Sequence, residues 1–412
     1  MELIKLKDCC TIIAGQSPES KYYNTDGTGL PFFQGKADFG ELYPRIRIFC
    51  SQPTKIAEKD DILLSVRAPV GPTNLAPCTV CIGRGLTAIR PSKKLLTRFV
   101  LLYFKYFEAQ LARKGTGTTF NAITQDVIKN LEIPVPSLEE QERIVERIEE
   151  LLSQLDTGVE VLNKTKAQLA VYRQAVLKEA FEGRLTYHDA VGIELPWVSN
   201  NETKALPAIP EEWHYIALKH LGDLGRGKSK HRPRNDPKLF VDGKYPFIQT
   251  GDVKAANKYI TTFSKQYGEF GLAQSKLWPN GTLCITIAAN IAETAFLGID
   301  ACFPDSVVGF VPNECVLLEY IRYFIESQKI RLWAYAPATA QKNINLDTLE
   351  NLIVPYCSIN EQRVVISEVE SRMSVCDSIE QTVDTTLQQA EAMRQSILKN
   401  AFEGEEINEA TA

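Results

Sequence analysis

Histidine is scarce, with four in 412 residues, and the four form no metal-ligand spacing. No stretch approaches the roughly 18 consecutive apolar residues that a membrane span requires. Met1-Glu-Leu-Ile-Lys-Leu-Lys7 lacks the apolar core of a secretory signal, so a cytoplasmic protein with no membrane segment is expected. The ten cysteines show no paired rhythm, which excludes a disulfide framework and fits a reducing compartment. Cys78-Thr-Val-Cys81 is a CxxC without a matching second pair, so it reads as strand cysteines and not as a zinc site, and no metal is expected. The sequence has neither an Asn/Asp-Pro-Pro-aromatic run, as in amino-methyltransferases, nor a nuclease-like Pro-Asp…Glu-x-Lys. No catalytic residue and no cofactor of the chain's own are expected.

What is present describes a folded, divided protein. A composition of 44% hydrophobic and 24% charged residues is that of a globular chain, and 412 residues exceed one ordinary core. The net charge of −5 conceals a segregation. Residues 1–137 carry +6 and 207–358 carry +1, whereas 138–185 carry −3, 186–206 carry −2 and 359–412 carry −7. Two neutral-to-basic blocks alternate with acidic ones, and an acidic total does not exclude nucleic acid when the basic charge is local.

The chain repeats itself. Pro134-Val-Pro-Ser-Leu-Glu-Glu-Gln141 answers to Pro355-Tyr-Cys-Ser-Ile-Asn-Glu-Gln362, and Gln174-Ala-Val-Leu-Lys-Glu-Ala-Phe-Glu-Gly183 to Gln395-Ser-Ile-Leu-Lys-Asn-Ala-Phe-Glu-Gly404. Both pairs are offset by 221 residues, so each copy contains one rigid element of fixed length. Nearer the start the likeness loosens, with Pro31-Phe-Phe-Gln34 against Pro246-Phe-Ile-Gln249.

The repeated parts read as long helices over 138–185 and 359–404. Ser137 with Glu140, and Ser358 with Glu361, form capping boxes just after prolines. Gly183 and Gly404 stand where a helix end wants positive φ. A heptad seam runs through Ile148, Leu155, Leu162, Leu169 and Val176 in one copy, and Val369, Cys376, Val383, Ala390 and Ile397 in the other. Ile144, Leu151, Tyr172, Val365, Ile379 and Met393 supply the alternate heptad position; Gly158, Thr165 and Arg372 weaken the seam, where bending is expected. A helix of this length reaches ~65–70 Å, beyond a small domain, so each needs a long partner. The other copy is available, and a globular domain between them favours antiparallel pairing. The rival reading packs each helix on its own domain alone.

The front parts, 1–137 and 207–358, read as α/β domains. Asp61-Ile-Leu-Leu-Ser-Val-Arg67 and Gly281-Thr-Leu-Cys-Ile-Thr-Ile287 suit strands, and Phe99–Phe107 and Tyr320–Phe324 suit helices. Residues 186–206 read as a linker and 405–412 as a tail.

With the repeated Pro-x-x-Ser-x-x-Glu-Gln helix start, the repeated Leu-Lys-x-Ala-Phe-Glu-Gly exit, Ser65-Val-Arg-Ala-Pro-Val-Gly71 and Cys81-Ile-Gly-Arg-Gly-Leu86, the chain resembles the specificity subunits of type I restriction-modification systems over almost its whole length. The resemblance implies α/β target-recognition domains in tandem, held apart by two long helices in an antiparallel coiled coil with an internal two-fold pseudo-repeat. It implies that each domain reads half of a bipartite, asymmetric site in double-stranded DNA. It further implies docking of two methyltransferase subunits that use S-adenosylmethionine to modify adenine N6. Endonuclease subunits that translocate DNA with ATP and Mg2+ complete the restriction form.

For DNA contacts the candidates in the first half are Lys36, Arg45, Arg47, Arg67 and Arg84, since arginine suits bidentate bonding to guanine. In the second half, Arg226, Lys228, Lys230, Arg232 and Arg234 crowd one flexible loop suited to phosphate contacts, with Lys342 and Asn343 further on. Gln34 and Gln249 recur in both halves and read as scaffold. Ile287-Ala-Ala-Asn-Ile-Ala-Glu replaces Arg67-Ala-Pro-Val-Gly, and Phe303-Pro-Asp-Ser-Val-Val-Gly replaces Gly83-Arg-Gly-Leu. Gly222-Asp-Leu-Gly-Arg-Gly-Lys-Ser229 matches the phosphate loop GxxxxGK[ST], the basis of a rival nucleotide-binding reading. That loop needs a helix starting at Lys-Ser, and Pro233 and Pro237 oppose one. A free-standing DNA-binding regulator is the third reading.

Overall fold

The computed structural model describes residues 2–114, 122–186, 206–335 and 343–403. Lys342, Gly404, the tail and nearly all of the linker lie outside them. The chain forms two compact units, Met1–Lys164 with Val383–Ala412, and Thr165–Thr382. Each therefore takes in parts of both long helices, Leu138–Phe181 and Ile359–Glu403.

In the first unit an antiparallel sheet runs in the order Cys10–Ala14, Leu86–Pro91, Ile62–Ser65, Thr73–Leu75. A second sheet pairs Leu30–Phe33 in parallel with Val80–Ile82, and a ribbon joins Leu3–Lys5 to Glu132–Pro134. The second unit repeats the plan. Its sheet runs Gly222–Arg226, Val307–Pro312, Leu283–Thr286, Thr294–Leu297, with Tyr259–Ile260 added at the edge. Tyr245–Phe247 and Ala301–Cys302 form the parallel pair, and His214–Ala217 joins Ile353–Tyr356. Central strands such as Ile62–Ser65 and Leu283–Thr286 are buried at every position, as their unbroken apolar runs require.

The repeated helix-start motif is a latch. Ser137 Oγ accepts the amide of Glu140, and Ser358 Oγ that of Glu361, each at 3.2 Å. Of the glutamates' own carboxylates, Glu140 takes Arg143 at 2.8 Å, and Glu361 accepts from Thr186. Gln141 is fully buried; its Nε2 donates to the carbonyls of Lys94 and Pro136, and its Oε1 accepts the Leu96 amide. Gln362 repeats this with Cys315, Cys357 and Leu317. A buried amide so satisfied fixes the first turn of each long helix to the turn that leads into Thr97–Lys114 or Leu318–Ser327.

The exit motif is packing. In the first unit Leu398 and Phe402 join a core containing Ile144, Val145, Ile148, Phe99 and Phe104. In the second, Leu177 and Phe181 join Val365, Val369, Tyr320 and Phe324. Phe402 stacks on Tyr106 at 5.7 Å, and Phe181 meets Tyr320 edge-on at 5.0 Å. Gly183, at φ +72°, closes the first long helix; its amide bonds Ala180 O and the Arg184 amide bonds Glu179 O, a Schellman turn.

Both units show the helices antiparallel. Arg394 bonds Asp156 in the first unit, and Arg173 bonds Asp377 at 2.7 Å and Glu380 at 3.0 Å in the second. These bridges are one bridge repeated, since Arg173 and Arg394, like Asp156 and Asp377, stand 221 residues apart. Of the seam positions, Ile148, Leu169, Val176, Val369, Cys376, Val383 and Ala390 are buried, while Leu155, Leu162 and Ile397 are half-buried. Three residues expected at the alternate position are instead exposed: Tyr172 at 48%, Ile379 at 40% and Met393 at 50%. The helix ends turn toward the sheet layers as well as toward each other, so the buried stripe there follows Val176, Leu177, Ala180 and Phe181 and not a strict heptad. The rival reading, each helix on its own domain alone, does not hold: the start of each helix packs on the α/β core that precedes it, and its exit packs on the other. Both helices run unbroken through Gly158, Thr165 and Arg372.

Candidate nucleic-acid interface

The first unit gathers its candidate cations at one edge, where strands end. The turn after Val80–Ile82 packs against the exit of Leu30–Phe33: the Gly83 amide bonds Phe33 O, and a Cβ on Gly85 would lie 2.3 Å from the Gln34 carbonyl oxygen. Only glycine allows that approach, and it sets exposed Arg84 beside exposed Gln34. The Gly85 carbonyl accepts the Val66 amide, which brings exposed Arg67 to the same edge. Lys36 comes next, in the turn Lys36–Asp38. Asp38 organises this corner by accepting the Gln34 amide through Oδ2 and Arg47 Nη2 through Oδ1, and its carbonyl accepts the Arg45 amide. Burial raises the Glu108 carboxyl above its ordinary range, against the opposing pull of Lys105 and Lys36. Lys36, Arg45, Arg67 and Arg84 are exposed and make no ion pair with another described residue, whereas Arg47 is paired.

In the second unit the basic run is pinned at several points, which corrects the expectation of a flexible loop. Gly222–Arg226 is a strand. The Gly227 amide bonds Val307 O, Ser229 is buried, and the Lys230 amide bonds Gln274 O. Arg232 donates to the carbonyls of Ser229 and His231. His231 meets Asp236 at 2.7 Å, and that carboxyl is held below its ordinary range by the Lys238 amide and by His231. Arg234 bonds both oxygens of Asp305 through one Nη, at 2.8 Å each. Arg226, Lys228 and Lys230 are exposed and make no ion pair with another described residue. Lys276, which has no signal in the sequence, lies 3.5 Å over the Trp278 ring and about 4 Å from a Cβ built on Gly225.

This geometry also disposes of the phosphate-loop match. Five of the motif's eight residues form a strand, and beyond Lys228-Ser229 the chain is irregular up to the single 3-10 turn Pro237–Phe240. Among the described residues no helix starts at Lys228-Ser229 to receive a phosphate.

The halves can be aligned through their hydrogen bonds. Val66 bonds Gly85 and Ile123 bonds Val66; Ile287 bonds Ser306 and Ile344 bonds Ile287. Arg67 bridges Ala122 as Ala288 bridges Asn343. Arg67 therefore corresponds to Ala288, one residue later than the sequence alignment placed it. Exposed Asn343 occupies the place of Ala122, its backbone in a structural bridge. Leu86 bonds Gly83 as Val307 bonds Pro304, so Arg84 corresponds to Asp305. The backbone amides of Gln34 and Gln249 are each held by a nearby aspartate, Asp38 and Asp252. Cys81 is buried in its strand, where burial raises its thiol. Among the described residues no three His, Cys, Asp or Glu side chains are grouped to hold a metal, and no helix is long and apolar enough to cross a membrane.

The two α/β units share one plan, each with exposed cations where strands end and a share in the long helices. Residues 1–170 and 210–389 match the type I restriction modification DNA specificity domain. The chain belongs to the family of type I restriction-modification specificity subunits. A putative MjaX specificity subunit of Methanocaldococcus jannaschii is 39% identical over 175 residues, 42% of this chain and 40% of that protein. The EcoBI specificity subunit of Escherichia coli is 28% identical over 299 residues, 70% of this chain and 61% of that protein. The matches thus span about half the length of these relatives. Among solved structures, the HsdS subunit from Thermoanaerobacter tengcongensis aligns over 98% of this chain and 96% of its own, with a TM-score of 0.57 at 18% identity. A chain from a study of complex assembly and conformational transition of the type I R-M system aligns over 97% of both, with a TM-score of 0.74 at 18% identity. At such identities the likeness shows the fold.

Proposed function

We propose that the chain is the non-catalytic reader of a cytoplasmic type I complex, with each unit recognising one half of a bipartite, asymmetric site in double-stranded DNA. The observation that carries this reading is selective divergence. The residues that anchor the long helices are kept between halves, as in Gln141 and Gln362 or Phe181 and Phe402, while the basic edges differ, as in Arg84 and Asp305. A common chassis with two different edges is what reading two different half-sites requires.

The long helices supply the scaffold for two methyltransferase subunits and, in the restriction form, for endonuclease subunits. Support comes from apolar side chains left exposed on them: Val171, Tyr172, Val375 and Ile379 in the second unit, and Val161 and Met393 in the first. S-adenosylmethionine, ATP and Mg2+ belong to those partners. The exchangeable parts are 1–137 and 207–358, with 186–206 as connector.

The test is reconstitution. The purified chain alone is expected to methylate nothing; with its methyltransferase it should methylate adenines at one bipartite sequence. Methyl transfer by the chain alone would contradict the reading.

A further inference from the structure

The equivalence of Arg84 and Asp305 joins two facts about one place in the fold. In the first unit this turn offers a cation, and the facing strand exit, Gly15-Gln-Ser17, offers none; the Arg84 amide bonds Ser17 Oγ at 3.2 Å. In the second unit the turn offers a carboxylate, and the facing exit, Gly227-Lys-Ser229, opens the basic loop that ends at Arg234. The second unit carries its cations on the loop, and the acid in the turn pairs with the last of them, Arg234.

The grip has a particular form. One Nη of Arg234 bonds both Asp305 oxygens, so Nε and the other Nη make no ion pair or hydrogen bond with another described residue. Both side chains are partly exposed, Arg234 at 49% and Asp305 at 42%. A guanidinium neutralised by a carboxylate is a poor phosphate counter-ion, because the pair carries no net charge into the counterion atmosphere. Both parallel-donor edges of a guanidinium share the Nη that Asp305 holds. The two carboxylate oxygens subtend a narrow angle at it, so one of its N–H groups is shared between them. Its other N–H, with a neighbouring N–H, keeps one parallel pair, held in one orientation, that matches O6 and N7 of guanine in the major groove. Arg226, Lys228 and Lys230, without such a carboxylate, keep the full charge that phosphate contact uses.

We infer that Arg234 is a specificity-determining residue that reads a guanine in the half-site of the second unit, and that Asp305 positions it. This rests on the proposed DNA-reading role of the unit.

The test uses the full chain with its methyltransferase, mapping methylated adenines and measuring binding to synthetic duplexes. Arg234→Lys keeps the charge and loses the fork. It should lower discrimination for guanine at one position of one half-site by about tenfold or more, leaving the other half-site intact as an internal control of folding. Asp305→Ala should relax the same position, and the double substitution should do little more than either alone. In a phosphate-contact role, Arg234→Lys would leave the motif unchanged and Arg234→Ala would weaken all sequences alike, with a shallower salt dependence. Either result, or relaxation by Asp305→Ala at a different position, would overturn the assignment. Failure of the unsubstituted complex to methylate any defined sequence would instead overturn the reading beneath it, and this inference with it.

Discussion

Gln141 and Gln362 show what a motif in sequence conceals. The repeat made both glutamines visible, and their spacing from Ser137 and Ser358 marked a helix start. That they are fully buried and hold the backbone of a turn ahead of the next helix depends on residues 45 to 47 positions away, which no local pattern reports. Gln141→Ala strands the Leu96 amide and the carbonyls of Lys94 and Pro136. It should cost about 2–3 kcal/mol in denaturant unfolding of the first unit, and a loss below about 0.5 kcal/mol would show the latch idle. Gly158 is the opposite case. It sits in mid-helix, and a Cβ there would meet nothing within 4 Å. Gly158→Ala should raise stability by about 1 kcal/mol, read as a higher melting midpoint; a lower midpoint would mean the helix needs its glycine.

At the scale of elements, heptad spacing pointed to the pairing and the intervening domain to its direction, but neither to the whole buried stripe. Periodicity reports one face, and it did not report that Tyr172, Ile379 and Met393 are exposed or that the stripe at the exit of the first helix follows Val176, Leu177, Ala180 and Phe181. The Arg–Asp bridge had no signal beyond the 221-residue offset that also relates its two copies, and it says which residues should meet if one helix pairs with itself. A fragment ending near Arg184 lacks Ile397, Leu398 and Phe402, which complete the first unit, but carries Val176, Leu177 and Phe181 at the equivalent positions. It should therefore dimerise, with Arg173 of each copy against Asp156 of the other. Asp156→Arg should weaken that dimer by setting like charges together, and Arg173→Asp added to it should restore association, both measured by sedimentation. The partly exposed bridge itself is worth about 1 kcal/mol or less, so the test lies in the sign reversal. A monomeric fragment would deny that the two long helices are interchangeable. With its methyltransferase, the dimer should modify an interrupted palindrome.

For the molecule as a whole, local charge was the informative quantity and the total of −5 the misleading one. The basic blocks were legible, and so was the duplication that gave the architecture. Which cations have partners within the chain was not, because Arg47, Arg232 and Arg234 find partners that only the folded chain brings near. Nor could sequence place Arg84 opposite Asp305, since the alignment there depends on backbone hydrogen bonds in loops where the residues have diverged. The central claim is that two units of one plan read two half-sites independently. Its most direct measurement is a genome-wide map of methylated adenines made with the full complex before and after residues 1–137 are exchanged for those of a relative. The account predicts that one half of the bipartite motif changes while the other half and the spacer between them stay as they were. A folded exchange protein that altered both halves, or neither, would contradict it.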